Sequence, residues 1–192
     1  MIGVSPRSPA RPTVLVTDDE RPLADLYTDH LTEDYEVLTA YGGEEALERF
    51  DEAGERIDVA LLDRRMPDVS GDEVLARIAD SGEDCRVAMI TAVNPGFDLI
   101  DMGCDEYLVK PVSGEDLLDV VDRLLKLSEY SDKHQQLTSK RLTRNVLQVE
   151  KSAAELAESE RFDRLESDIE RLETRLDDIT EDLEFENLQR HI

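Results

Sequence analysis

Short apolar blocks alternate with amphipathic segments between Thr13 and about residue 127. The blocks are rich in β-branched residues, as buried strands are, and the segments place apolar residues three or four positions apart, as amphipathic helices do. The predicted strands cover residues 13–17, 35–39, 57–62, 86–91 and 106–109, and the predicted helices cover 21–32, 44–50, 71–78, 97–102 and 113–127. This alternation predicts an α/β fold, a doubly wound five-stranded parallel sheet with helices on both faces.

The C-terminal third has a different pattern. No Gly or Pro follows Gly114, so a long helical extension is predicted. Two heptad-like ladders of apolar residues run through it: Leu142, Val146, Val149, Ala153 and Leu156, then Phe162, Leu165, Ile169, Leu172, Leu176, Ile179 and Leu183. The spacing breaks at residues 158–160, where Ser159 is a candidate helix cap. We expect a helical hairpin or coiled coil, whose seams need a partner helix from the same chain or from a second one.

The first twelve residues differ from both regions. Residues 1–12 contain three prolines and no acidic residue, which is typical of a disordered arm. The predicted organisation is therefore an arm at 1–12, an α/β domain at 13–127 and a helical domain at 128–192.

The net charge of the chain limits the kinds of molecule that it is expected to bind. The chain has 22 Lys and Arg against 47 Asp and Glu, a formal net charge of −25. This balance argues against a general nucleic-acid-binding or anionic-membrane-binding surface. The acidic, lysine-poor composition resembles that of proteins adapted to a salt-rich cytoplasm. With two cysteines, no signal peptide and no apolar run of membrane-spanning length, a cytoplasmic protein with free thiols is predicted.

Polar residues stand at the ends of four predicted strands. Asp18 and Asp19 follow the first strand, Asp63 ends the third, Thr91 ends the fourth and Lys110 ends the fifth, before Pro111. Parallel strands end at one edge of the sheet, so these side chains should converge there. Clustered carboxylates favour Mg²⁺, and Asp63 could then attack phosphorus as a nucleophile while Lys110 and Thr91 contact phosphoryl oxygens. Each signal alone is weak, since an Asp-Asp pair after a strand is more often a turn.

The chain resembles a known family at these positions. The matching motifs are VLVTDDE (14–20), LLDRRMPDVSG (61–71), ITA (90–92) and DEYLVKP (105–111). Residues 13 to about 127 are similar to the CheY-like receiver domain of two-component response regulators, which implies a flavodoxin-like fold.

The resemblance also implies a role for each site residue. Asp18 and Asp19 would bind Mg²⁺ together with Asp63 and the backbone carbonyl of Arg65. A sensor histidine kinase would phosphorylate Asp63, to which Thr91 and Lys110 would respond, with Tyr107 as the coupled aromatic. Thr91 and Lys110 are closer in sequence than the family pattern leads us to expect, which predicts a shortened fourth helix.

The helical extension resembles a second family. The stretches SEY (128–130), LTSKR (137–141), EKSAAEL (150–156) and SERFDRLESDIERL (159–172) are similar to the HalX domain, found after receivers in haloarchaeal proteins. On a helix, its basic residues Lys133, Lys140, Arg144 and Lys151 form a stripe. The stripe could pair with the acidic last helix or contact an anionic partner.

The sequence supports three functional hypotheses. The first is a response regulator in which phosphorylation of Asp63 signals through the helical domain, a phosphoacceptor rather than an enzyme. The second is a coiled-coil scaffold with a degenerate receiver, and the third is an aspartate-nucleophile phosphatase, which typically carries Asp-x-Asp on the first strand. No basic recognition helix is visible, so direct DNA binding is not expected, and a homodimer through the C-terminal helices is left open.

Overall fold

The computed structural model of the protein describes residues 11–53, 56–92 and 103–189, with side chains up to residue 185. The chain divides into two compact units, Met1–Leu125 and Lys126–Ile192.

The first unit is built on a parallel sheet. Its strands are β1 (Thr13–Thr17), β2 (Glu36–Ala40), β3 (Val59–Asp63), β4 (Arg86–Thr91) and β5 (Glu106–Val109). They form one five-stranded sheet in the order β2-β1-β3-β4-β5, and every neighbouring pair is parallel. The predicted doubly wound parallel sheet is confirmed, with strand boundaries within two residues of those predicted.

Three helices connect the described strands, and a longer one follows them. These are α1 (Arg21–Leu31), α2 (Gly43–Ala53), α3 (Gly71–Ser81) and α4 (Gly114–Glu150). The helix predicted at 97–102 lies outside the described residues. The helix predicted to end at residue 127 continues to Glu150, because no Gly or Pro interrupts it.

The central strands are buried along their whole length. Every residue of β1 and β3 is buried, whereas the edge strands β2 and β5 are mostly half-exposed or exposed. A parallel sheet covered on both faces requires continuous apolar runs in its central strands, which explains VLV in β1 and VALL in β3. Polar groups of these strands can therefore reach solvent only at the strand ends.

The second unit contains the rest of α4, the short helix α5 (Ala153–Ala157) and α6 (Glu160–Gln189). Two serines mark the breaks between these helices. Ser152 forms a capping box with Glu155 at the start of α5. The Ser159 hydroxyl accepts a hydrogen bond from the Phe162 backbone N–H (3.3 Å), so Ser159 occupies the predicted capping position before α6.

The two long helices of this unit pack as an antiparallel hairpin within one chain. Leu137 of α4 is buried with Ile169 and Leu176 of α6, and Tyr130, Leu165 and Leu172 pack around them. Ion pairs join the helices on both sides of this seam: Lys140–Asp168, Arg141–Glu173, Arg144–Glu166 and Arg175–Glu129. Of the two interpretations of the basic stripe, pairing with the last helix holds for Lys140 and Arg144.

The apolar ladder predicted on α4 does not face this seam. Leu142, Val146 and Val149 are 62%, 61% and 82% exposed. Of the two partners that the sequence left open for this ladder, a helix of the same chain is excluded for these three residues, because the ion pairs to α6 turn the opposite face of α4 toward the seam. Among the helices that the structure describes, none combines the length and the apolar character needed to cross a membrane.

Candidate functional site

The site lies at the carboxyl end of the sheet, where β1 lies between β2 and β3. The chain leaves β1 for β2 on one side and reaches β3 on the other, so the connections diverge and open a crevice. Asp18 directly follows β1 and Asp63 is the last residue of β3. Their carboxylates are thus brought to one crevice by strands that are neighbours in the sheet.

Lys110 joins these two carboxylates. Its Nζ lies 2.7 Å from Asp18 Oδ2 and 2.8 Å from Asp63 Oδ1. The side chains of Lys110, Asp18 and Asp63 are 14%, 1% and 7% exposed, so the three charges are nearly removed from water. Lys110 directly follows β5, and the Lys110–Pro111 peptide is cis. We call Asp18, Asp63 and Lys110 the charge triad.

The remaining carboxylate oxygens accept backbone hydrogen bonds. Asp18 Oδ1 accepts from the Glu20 N–H at 3.0 Å, and Asp63 Oδ2 accepts from the Arg65 N–H at 3.0 Å. Each of the four oxygens therefore has a donor, which satisfies the requirement that buried polar groups be hydrogen-bonded.

The environment acts in opposite directions on Asp63 and Lys110. Burial raises the pKa of Asp63, and the negative charge of Asp18 adds to this, while Lys110 and the Arg65 N–H oppose it; the net pKa is raised. Burial lowers the pKa of Lys110, but its contacts with Asp18 and Asp63 outweigh burial and raise it. Lys110 is therefore a cation at neutral pH, and its charge opposes the rise in the pKa of Asp63.

The other predicted site residues lie around the triad. Thr91 ends β4 and is buried, and its backbone oxygen accepts from the Lys110 N–H at 2.7 Å. Asp19 is exposed beside Asp18. Tyr107 lies on β5, half-buried, and packs against the core cluster that contains Val74 and Met89. The structure thus brings Asp18, Asp63 and Lys110 into contact and places Thr91 on the adjacent strand end.

The oxygen atoms at this crevice suit a hard divalent cation. Carboxylates of Asp18 and Asp63, with Asp19 next in sequence, are the ligand type that Mg²⁺ prefers. Among the described residues, no group of three or more His, Cys, Asp and Glu side chains is already gathered as a metal site. In the present arrangement the Lys110 ammonium lies between Asp18 and Asp63 and supplies the positive charge itself.

The loop after Asp63 is held tightly against the site. A Cβ on Gly71 would lie 2.3 Å from the Asp63 backbone oxygen, and the Gly71 N–H donates to the Arg64 oxygen at 3.0 Å. Ser70 caps α3 in a capping box with Glu73. These contacts fix the path of the chain from Asp63 into α3, and so they fix the Arg65 N–H against the Asp63 carboxylate.

Sequence reasoning missed two contributors. The backbone N–H groups of Glu20 and Arg65 serve the triad, whereas the sequence pointed only to the Arg65 carbonyl. Tyr27 of α1 is buried near the triad, and burial raises its phenol pKa, with smaller effects from Lys110, Asp18 and Asp63. Its position beside the triad carries no sequence signal, because a helix-face tyrosine looks like any core aromatic.

Comparison with known proteins identifies the family. The response regulator receiver domain matches residues 14–122. The chain belongs to this family. The HalX domain matches residues 126–191, directly after the receiver domain.

Three relatives illustrate how far the similarity reaches. A candidate transcriptional regulator from Haloferax volcanii is 52% identical over 122 residues, which cover 63% of this chain and 20% of that protein. Transcriptional regulatory protein TrcR of Mycobacterium tuberculosis is 35% identical over 66% of this chain and 49% of its own length. Transcriptional regulatory protein CpxR of Escherichia coli is 32% identical over 64% of this chain and 53% of its own length. The chain spans about half the length, or less, of these relatives.

Solved structures share the receiver fold. A CheY-like receiver domain protein from Methanospirillum hungatei has a TM-score of 0.57 and 27% identity, and the match covers 62% of this chain and 98% of that one. Response regulator TrrA from Thermotoga maritima, solved with Mg²⁺ and a beryllium fluoride, has a TM-score of 0.53 and 36% identity, over 59% of this chain and 98% of its own. Divalent metal use is therefore found in the family.

Proposed function

We propose that this receiver domain accepts a phosphoryl group on Asp63 from a sensor histidine kinase, in a reaction that needs Mg²⁺, and signals through the HalX domain. The observation that carries the proposal is the charge triad, a buried carboxylate at a strand end held 2.8 Å from an ammonium and one strand away from a second carboxylate. This is a signalling role, in which the protein accepts the phosphoryl group and the phosphorylated protein is the product.

Asp63 is the nucleophile in this scheme. Its carboxylate oxygen attacks the phosphorus of a phosphohistidine, an O–P bond forms, and the P–N bond breaks as the imidazole of the kinase leaves with its electron pair and takes up a proton. Burial strengthens the nucleophile, because a carboxylate in poor contact with water is less stabilised by solvent.

Lys110 and Thr91 act on the phosphoryl oxygens. The Lys110 ammonium, already within hydrogen-bond distance of Asp63, neutralises charge on the transferred group. The Thr91 hydroxyl donates to the acyl phosphate from the neighbouring strand end. Tyr107 on β5 is the aromatic whose packing responds when Thr91 and Lys110 turn toward the phosphoryl group.

Asp18, Asp19 and Asp63, with the backbone carbonyl of Arg65, are the groups that would hold Mg²⁺. When bound, the metal offsets the negative charges of the carboxylates and of the phosphoryl group. The Asp18 carboxylate could thus contact either Mg²⁺ or the Lys110 ammonium.

Direct DNA binding is not part of the proposal, although the relatives include proteins named transcriptional regulators. Those proteins extend well beyond the matched region. The chain carries a net charge of −25, and Lys140, Arg141 and Arg144 already pair with acidic residues of α6. We propose instead that the HalX hairpin passes the signal to a protein partner.

Intact-mass spectrometry tests the phosphoacceptor. The protein is incubated in concentrated KCl with a small-molecule phosphodonor, with and without Mg²⁺, as wild type, Asp63→Asn and Asp68→Asn. The last variant is the matched control, because Asp68 is an exposed carboxylate in the same loop. A single phosphoryl adduct that requires Mg²⁺, is absent in Asp63→Asn and persists in Asp68→Asn is expected.

Two results would contradict the proposal. The absence of an adduct on folded wild-type protein would favour the scaffold with a degenerate receiver. Continuous hydrolysis of phosphate esters that depends on Asp63 would favour the phosphatase.

A further inference from the structure

One face of α4 in the HalX hairpin is exposed and carries no charge. It consists of residues that lie within about 60° of Leu142 on a helix of 100° per residue: Gln135, Thr138, Ser139, Leu142, Asn145, Val146 and Val149. All of them are exposed. We call this set the neutral stripe.

The stripe is neutral because the charges of this segment are turned the other way. Between residues 135 and 149 the charged residues are Lys140, Arg141 and Arg144, and each pairs with an acidic residue of α6. In a chain of which 36% of residues are charged, an exposed helical face of this length without charge is unusual.

The outer face of α6 provides the comparison within the same hairpin. Its exposed residues are largely charged, as expected of a helix face that meets only water: Asp163, Arg164, Glu170, Arg171, Asp177 and Asp178. Both faces belong to the same hairpin of the same acidic chain. Because only the face of α4 lacks charge, the neutral stripe differs from an ordinary solvated helix surface.

The apolar residues of the stripe have the spacing of paired helices. Leu142, Val146 and Val149 are separated by four and three positions, and they are 62%, 61% and 82% exposed. Alternating spacings of four and three place residues on the contact line of two supercoiled helices.

We propose that the neutral stripe is the seam of a homodimer, in which α4 of one copy packs in parallel and in register against α4 of a second copy, so that Val146 faces Val146. Charge selects this occupant. A second copy also carries a net charge of −25, so any charged surface would bring like charges together, whereas a neutral stripe lets the two copies approach. A basic partner would instead be matched by the acidic surface found elsewhere on the chain.

The seam is short, which sets the strength of the dimer. Residues 135–149 span about four helical turns, roughly 21 Å. Two helices in contact over this length bury less than the ~1,200 Å² typical of stable interfaces. The dimer is therefore weak and concentration-dependent, and molar salt favours it by screening the remaining repulsion.

Sedimentation equilibrium over a wide concentration range in molar KCl tests the proposal on the unphosphorylated full chain. Wild type is expected to move from monomer toward dimer as concentration rises. Val146→Glu should weaken this association at least tenfold, since it places two carboxylates across the seam. The exposed Ser167 of α6 gives the matched control, and Ser167→Glu should associate like wild type. Because Val146 is exposed, Val146→Glu leaves the hairpin folded, which circular dichroism checks.

A disulfide reports the geometry directly. In a Cys85→Ala/Cys104→Ala background, Val146→Cys should form a covalent dimer under mild oxidation, and Ser167→Cys should not. A wild type that stays monomeric at every concentration, or a Val146→Glu variant that associates as strongly as wild type, would overturn the proposal. Neither measurement involves Asp63, so failure here leaves the phosphoacceptor proposal intact.

Discussion

Lys110 decides the charge balance of the site. Two carboxylates with 1% and 7% exposed side chains would repel each other without a cation between them. The ammonium satisfies one oxygen of each, and backbone N–H groups satisfy the others. The stability of this corner depends on that lysine, and so does the reactivity of Asp63 under the proposed function.

Replacement of Lys110 by methionine should cost about 3 kcal/mol of unfolding free energy at pH 7, because it leaves buried carboxylates uncompensated. The loss should shrink as the pH falls, since protonation of Asp63, whose pKa is raised, removes the uncompensated charge. Added Mg²⁺ should recover part of the loss. Denaturant unfolding at pH 7 and at pH 5, with and without Mg²⁺, measures all three effects.

Lys151→Met serves as the control, because Lys151 forms an exposed pair with Glu155 and should contribute less than about 1 kcal/mol. Equal losses in the two variants, or a loss from Lys110→Met that grows toward acid pH, would show that the triad does not hold its charges as described.

The side chains of the site could be predicted from sequence, and its backbone donors could not. Asp18, Asp63 and Lys110 each lie at the end of an apolar run that predicts a strand. Because parallel strands end at one edge of the sheet, the sequence predicts that these side chains lie close together. The N–H groups of Glu20 and Arg65 are present in every residue, and their use depends on loop geometry that the sequence does not encode locally.

Among the secondary-structure elements, α2 begins in close contact with the loop that leaves the site. A Cβ on Gly43, the first residue of α2, would lie 2.1 Å from the Val69 backbone oxygen. The helix start and the β3–α3 loop thus touch through backbone, and only glycine allows it. This contact explains why a residue that is a poor helix former occupies a helix terminus.

Gly43→Ala should destabilise the protein by about 1–3 kcal/mol, against the usual gain from alanine in a helix, because the added methyl must displace backbone. Gly114→Ala is the comparison. Gly114 also begins a helix, but its Cβ would meet the exposed His30 ring, which can rotate away, so a change within about 0.5 kcal/mol is expected. Thermal unfolding of both variants measures the difference, and equal effects would contradict the backbone contact.

Periodicity located the helices of the extension correctly but left the partner of each apolar ladder open. The ladder from Phe162 to Leu183 faces the hairpin seam, where Ile169, Leu176 and Ile179 are buried. The ladder at Leu142, Val146 and Val149 has the same spacing and is exposed. Spacing identifies an apolar face, but which face turns inward was decided by charge, through Lys140, Arg141 and Arg144.

At the scale of the molecule, repulsion between acidic residues opposes folding. The net charge of −25 is spread over 192 residues. At 0.1 M salt the screening length is about 10 Å, comparable to the distance between surface charges, and at 1 M it falls to about 3 Å. Folding gathers these charges, so the folded state should gain most from screening.

The thermal unfolding midpoint should therefore rise by several degrees as KCl increases from about 0.1 M to about 1 M, and then level off, because screening is nearly complete there. Differential scanning calorimetry measures the midpoint. Chlorides of other monovalent cations at equal ionic strength are the control, and they should act alike if screening is the cause. A midpoint that falls with salt, or that responds to potassium alone, would contradict this explanation.

The four hydrogen-bonded oxygens of Asp18 and Asp63 have a consequence for communication. Their donors come from three separate stretches of chain, after β1, after β3 and after β5. A ligand that binds at the lone pair now used by a donor displaces that donor, and the loop that carries the donor must then adjust. We therefore expect a ligand on Asp63 to affect the loops after β3 and β5 directly and, through the Lys110 contact with Asp18, the loop after β1.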